Sequence, residues 1–194
     1  MIIATTHTFK TKCHDIVGLF DKTNKLSTFM TKLEKQSLKD PLKYDTLHYL
    51  GHGFEFLMEI FIKSRAYDER IGITNYEPIL KNDNGADGVG FNILGQKCVI
   101  QHKYRANNQT LLTANEDHLS NLISDGMFAH GVKYDKENPP KAPVFYVFTT
   151  AKGLHYYTDS DMYKKQVKCY GYDDLRVMLN DNYSFWNLCR EIIK

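Results

Sequence analysis

A chain of 194 residues, 42% of them hydrophobic, is long enough to bury one sizeable core. Its formal charge of +2 and isoelectric point near 8.2 exclude a global field for nucleic acid, so any such footprint has to be a local patch. Cys13, Cys98, Cys169 and Cys189 have neither paired nor zinc-finger spacing, and no apolar run reaches membrane-spanning or signal-peptide length. The expectation is a soluble, cytoplasmic protein with reduced thiols and no membrane partner.

Residues 1–46 read as a helical N-terminal extension. Leu19, Phe20, Leu26, Phe29, Met30 and Leu33 recur at roughly helical spacing and predict one or two short helices, ended by Pro41, with the many lysines on a solvated face. Residues 47–67 form a strong amphipathic pattern, with Leu50, Phe54, Leu57, Met58, Phe61 and Ile62 on one helical face. Glu55 and Glu59 lie one turn apart on that helix, and periodicity alone makes both solvent-facing. His48 and His52 are spaced as zinc ligands can be. Tyr49 stands where a zinc protease has its glutamate, however, and the segment lacks a third ligand, so they read as a coincidental pair. A first strand is expected near 76–80.

Residues 83–105 are the centre of the chain. Cys98, Val99 and Ile100 form the continuous apolar run of a strand buried on both faces, yet the strand runs on into Gln101, His102 and Lys103. Side chains alternate along a strand, so Gln101 and Lys103 share one face, about 6 to 7 Å apart, and His102 points the other way. Upstream, residues 89–94 read as an antiparallel strand joined to Cys98 by a tight turn, which brings Asp87 alongside Gln101 and Lys103. A carboxylate, an amide oxygen and an ammonium at the end of a buried strand are costly unless a metal ion or anionic ligand completes them. Asp83, in the preceding loop, competes with Asp87. Residues 90–97 almost match a phosphate-binding loop, but Gln96 intrudes before the lysine and Cys98 replaces the Ser or Thr, so a nucleotide triphosphatase is rejected.

Beyond Arg105, a polar loop at 106–110 precedes a helix over 115–128 with Leu119, Leu122 and Ile123 inward. A charged, proline-bearing loop follows at 131–141, then a buried strand at 144–149 that ends in Thr149-Thr150. A short helix at 160–165, a last strand at 166–170, a helix at 173–179 and a closing helix at 185–193, with Trp186 and Leu188 inward, complete the pattern. His118, His130 and His155 have no partner spacing. Tyr156 and Tyr157 read more as strand packing than as base-stacking residues.

The spacing of Asp87, Gln101 and Lys103 resembles the D-(x)n-(D/E/Q)-x-K core of the restriction-endonuclease-like, or PD-(D/E)xK, superfamily, and within it the Mrr-type branch that carries Gln-x-Lys. The segment Gly51-His52-Gly53-Phe54-Glu55-Phe56 is similar to the first helix of Mrr-like nucleases, whose glutamate after Phe faces the active site. Ala86 stands where the superfamily usually has proline. The resemblance covers residues 47–180 in element order. It implies an α/β fold with a restriction-endonuclease-like core, in which helices flank a central mixed sheet of four to five strands. The domain would span 47–194, with 1–46 as the extension.

The resemblance also implies a Mg²⁺-dependent DNA endonuclease, with Mn²⁺ able to substitute, leaving 5′-phosphate and 3′-hydroxyl ends. Glu55, Asp87, Gln101 and Lys103 would be catalytic. Metal ligands would be the Asp87 carboxylate, the Gln101 amide oxygen, the His102 backbone carbonyl and Glu55 through water, and DNA contacts would come from Lys97, Tyr104, Arg105 and Lys152. Mrr-like domains often occur in larger proteins and this chain has no motor motif, so a homodimer or an associated motor protein in a restriction, viral or helicase-linked system is the expected setting. The alternative is a non-catalytic DNA-binding module of the same fold.

Overall fold

The computed structural model describes residues 7–39, 46–65, 70–79, 85–113, 119–133, 138, 140–155 and 165–194. The expectations placed on Pro41, Asp83, His118, Tyr156, Tyr157 and most of the 160–165 helix lie outside these residues. Three helices precede the long amphipathic one: α1 (Phe9–Lys12), α2 (Ile16–Phe20) and α3 (Leu26–Ser37), followed by α4 (Thr46–Ser64). The reading of one or two N-terminal helices was short by one, because Asp15 caps a separate turn of helix by accepting from Gly18 N at 2.8 Å.

The chain ends in α6 (Tyr172–Leu179) and α7 (Tyr183–Ile192), which pack with the N-terminal helices around a cluster of rings. Phe20 lies 5.3 Å from Phe29, 6.1 Å from Phe56 and 6.4 Å from Trp186, measured between centroids. Such pairs contribute about 0.5–1.5 kcal/mol each beyond area burial. Arg190 fastens the same helices by donating to the carbonyls of Phe20 at 3.2 Å and Thr23 at 3.0 Å, which end α2. Leu188 is only half-buried, and its neighbour Cys189 takes the inward position instead. Residues of α1 to α4, α6, α7 and the sheet belong to one continuous hydrophobic core.

The central sheet is mixed and five-stranded. Its strands are β1 (Ile73–Pro78), β2 (Gly88–Asn92), β3 (Lys97–Lys103), β5 (Phe145–Thr149) and β7 (Val167–Tyr170), side by side in that order. β1, β2 and β3 form an antiparallel meander, and β5 and β7 continue it in parallel. The β2–β3 turn is set by Asn92, whose Oδ1 accepts from Leu94 N at 3.0 Å and Gln96 N at 2.9 Å, so the near-match to a phosphate loop is a hairpin. Helix α5 (Leu119–Phe128) crosses over between β3 and β5. Two further strands, β4 (Leu111–Leu112) and β6 (Gly153–Leu154), pair in parallel as a second sheet that the residue pattern did not reveal, being two residues long each.

The two faces of β3 meet different helices. On one, α5 comes so close that a Cβ on Gly126 would sit 2.8 Å from Val99 Cγ2 and 2.9 Å from Phe145 Cε1. By alternation Gln101 and Lys103 share this face with Val99. On the other, His102 packs beside Tyr76 and Phe148 at centroid distances of 6.2 and 5.9 Å, and α4 lies against β1 and β3. Among the described residues no helix is long and apolar enough to cross a membrane.

The turn after β5 is pinned from behind: a Cβ at Gly171 would lie 2.2 Å from the Lys152 carbonyl oxygen, and Tyr172 N donates to Ala151 O at 2.7 Å. Backbone cannot rotate aside as a side chain can. Gly171→Ala should therefore cost about 2 kcal/mol or more in urea denaturation, whereas an unchanged midpoint would mean that this contact is slack.

Candidate functional site

Asp87 is brought to the polar end of β3 where β2 enters the ladder: Gly88 pairs with Ile100, and Asp87 N donates to the carbonyl of the same Ile100 at 2.8 Å. The His102 backbone N–H donates to Asp87 Oδ2, a charge-assisted bond that ties the carboxylate to the end of β3. Gln101 is buried and its Nε2 donates to Gly85 O at 2.6 Å, which fixes which end of the amide is oxygen. Gly85 has φ +131°, and a Cβ there would lie 3.1 Å from Leu122 N, so glycine is needed between Gln101 and α5. Gln101 Oε1 is left buried with no hydrogen-bond partner, at a cost of roughly 1–3 kcal/mol if nothing ever meets it.

Lys103 is half-buried two residues further along the same face. Its carbonyl is held by Thr149 Oγ1 at 2.7 Å and Thr150 N at 3.2 Å, and Thr150 Oγ1 accepts from Arg105 N at 2.6 Å while donating to Arg105 O at 2.8 Å. The Thr149-Thr150 pair read from the sequence thus clamps the chain leaving β3. Tyr104 donates to Glu34 Oε1 on α3 at 3.0 Å, and Lys152 is exposed on the turn beyond. Lys97 is exposed at the opposite end of β3, about 20 Å away along a seven-residue strand. It lines a groove with Gln96, Lys133 and Val144 rather than joining Lys103.

Glu55 sits elsewhere. Its Oε2 is 3.2 Å from His7 Nε2 and 3.1 Å from His52 Nδ1, on the side of β3 where the His102 imidazole lies. Burial would raise the Glu55 carboxyl, but hydrogen bonds with His52 and then His7 override it and hold it well below the usual carboxylate range. Glu59 is buried and paired with Lys63 Nζ at 2.6 Å. The partner His52 meets is therefore Glu55 one turn on, an i,i+3 pair visible in the sequence, together with His7, which no spacing announces. The His102 imidazole is buried 3.8 Å from Asp87 Oδ2, with neither ring nitrogen hydrogen-bonded. Compared with protein families, curated proteins and solved structures, the chain matches none.

Burial pushes His102 down to about 4, the Glu55 charge opposing and His7 adding to the shift. The unfolded imidazole titrates near 6.5, so between those values the unfolded chain binds the extra proton. The contribution is whole above pH 6.5 and is lost as pH falls toward 4, in total roughly 3 kcal/mol. The lowered Glu55 carboxyl has the same sign, its share being present above its unfolded value and lost at still lower pH. We expect His102→Leu to flatten the stability profile between pH 6.5 and 4.5 in urea titrations; a slope equal to wild type would place the acid sensitivity elsewhere.

Proposed function

We propose that this chain is a metal-dependent DNA endonuclease with a restriction-endonuclease-like core of the Mrr type. The observation that carries the reading is the Gln101 amide. Its NH₂ is anchored on Gly85 O and its oxygen is bare and buried, one residue before the His102 N–H that holds the Asp87 carboxylate and two residues before a lysine on the same face. An oxygen that keeps its lone pairs free at such cost suits a hard cation, which takes carboxylate and amide oxygens and tolerates few other donors. The meander continued by parallel strands around a crossover helix agrees with the expected core.

Asp87 and the Gln101 oxygen would hold the ion, with the His102 backbone carbonyl adjoining. Mg²⁺, or Mn²⁺ in its place, would supply charge stabilisation at the phosphate and lower the pKa of a bound water. The Lys103 side chain would offset the charge that grows on the phosphate, while the clamp through Thr149 and Thr150 holds its carbonyl and the backbone of Arg105 in place. Arg105 and Lys152 flank the same clamp and would meet neighbouring phosphates, leaving 5′-phosphate and 3′-hydroxyl ends. Glu55 receives no direct ligand role here, since its oxygen is engaged by two imidazoles.

Incubation with plasmid DNA and Mg²⁺ or Mn²⁺ should give cleavage that a chelator abolishes. Asp87→Asn and Lys103→Ala should each lower the rate by about 10²–10³-fold while leaving the melting temperature within a few degrees. Gln101→Glu adds a negative ligand, and calorimetric titration of Mn²⁺ without DNA should show tighter binding. DNA binding without cleavage under every ion tried would instead establish a non-catalytic DNA-binding module.

A further inference from the structure

The carboxylate engaged by two imidazoles stands apart from the proposed chemistry and has a different donor character. Oε2 of Glu55 receives His7 and His52 together, and the three atoms all lie within 4.8 Å of one another. The 3.2 and 3.1 Å separations are close to the edge of a tetrahedron around an ion with bonds of about 2.0–2.1 Å, which is roughly 3.3 Å. The two histidines come from different places: His52 from the second turn of α4, His7 from the segment entering α1, 48 residues before Glu55. Helix α4 presents Glu55 one turn beyond His52, so two of the three donors are pre-positioned by helical geometry and the third is brought by the packing of α1 on α4.

We propose that His7, His52 and Glu55 form a binding site for a divalent late transition-metal ion, Zn²⁺ being the occupant that best fits two imidazoles and a carboxylate. Nitrogen donors disfavour Mg²⁺, which belongs with the oxygens of Asp87 and Gln101, so the two positions select different ions. Among the described residues the group reaches the surface through His52, whose side chain is 55% exposed, while those of His7 and Glu55 are 11% and 24% exposed. Without the ion, Phe9 N donates to His7 Nδ1 at 3.2 Å, which leaves Nε2–H of His7 directed at Glu55. An ion held by Nε2 of His7 and Nδ1 of His52 would leave the proton of each ring on its other nitrogen, so that Nδ1 of His7 no longer accepts from Phe9 N. The bound ion staples the N-terminal segment to α4. This assignment does not rest on the nuclease reading.

The test is calorimetric titration of Zn²⁺ into the full, chelator-treated chain in excess Mg²⁺, together with the visible spectrum of Co²⁺ added in its place. One ion per chain is expected, with four- or five-coordinate Co²⁺ bands, no thiolate charge transfer, and a melting temperature raised by Zn²⁺. His52→Ala, at an exposed position that does not threaten the fold, should weaken binding at least about tenfold and abolish the thermal shift, as should His7→Ala. His48→Ala and Asp87→Asn should leave Zn²⁺ binding as it is. The proposal is overturned if His52→Ala binds like wild type, if His48→Ala weakens binding as much, as scattered surface histidines would, or if Mg²⁺ displaces the ion. Loss of Zn²⁺ binding in Asp87→Asn would move the ion to the β3 end and overturn it too. A failure of DNA cleavage alone touches only the nuclease reading.

Discussion

The register of β3 is the constraint on which the rest of this molecule depends. It is the middle strand of five, hydrogen-bonded to β2 on one edge and β5 on the other, and helices lie on both of its faces. A slip of one residue would exchange its faces, sending the His102 imidazole toward α5 and the Gln101 amide toward α4. Neither substitution of surroundings is tolerable. The Gln101 NH₂ donates to the Gly85 carbonyl, and the His102 ring fits between Tyr76 and Phe148. Val99 and Ile100 fill both faces just before, and their burial fixes the phase of the polar residues that follow.

The same logic explains why residues 7–39 are more than an appendage in packing terms. The rings of Phe20 and Phe29 complete a cluster with Trp186 from the far end of the chain and Phe56 from α4. Asn180 Oδ1 accepts from Leu26 N at 3.0 Å, so the first turn of α3 finds its cap 154 residues away. Tyr104, one residue past β3, reaches Glu34 on α3. The N-terminal helices therefore support the back of α4 and border the end of β3 that carries the polar residues.

What was legible in the sequence was whatever depends on near neighbours. The tight turn between β2 and β3, the alternation at 101–103 and the apolar face of α4 all follow from spacings of a few residues, and all five central strands were anticipated. What escaped depends on contacts that no spacing encodes. His7 reaches Glu55 across 48 residues, and β4 meets β6 across a crossover that includes a helix and a strand. Glu59 looked like a solvated residue one turn from Glu55, but it is buried because Lys63 supplies its counter-charge on the same helix. Periodicity reports where apolar side chains belong and says little about which polar ones find partners inside.

The two faces of one strand end also differ in the kind of charge they can stabilise. Toward α5 lies a bare, buried amide oxygen, with half-buried Lys103 two residues on. Toward α4 the groups are imidazoles gathered about Glu55, and the nearest of them to the strand, His102, is kept neutral by its burial. A protonated imidazole in that position would add positive charge within reach of Asp87 and compete with any cation held by the carboxylate. Burying His102 removes that competition at neutral pH without removing the ring, whose backbone N–H is what orients Asp87. The residue between Gln101 and Lys103 thus orients the Asp87 carboxylate through its backbone, while its side chain stays uncharged.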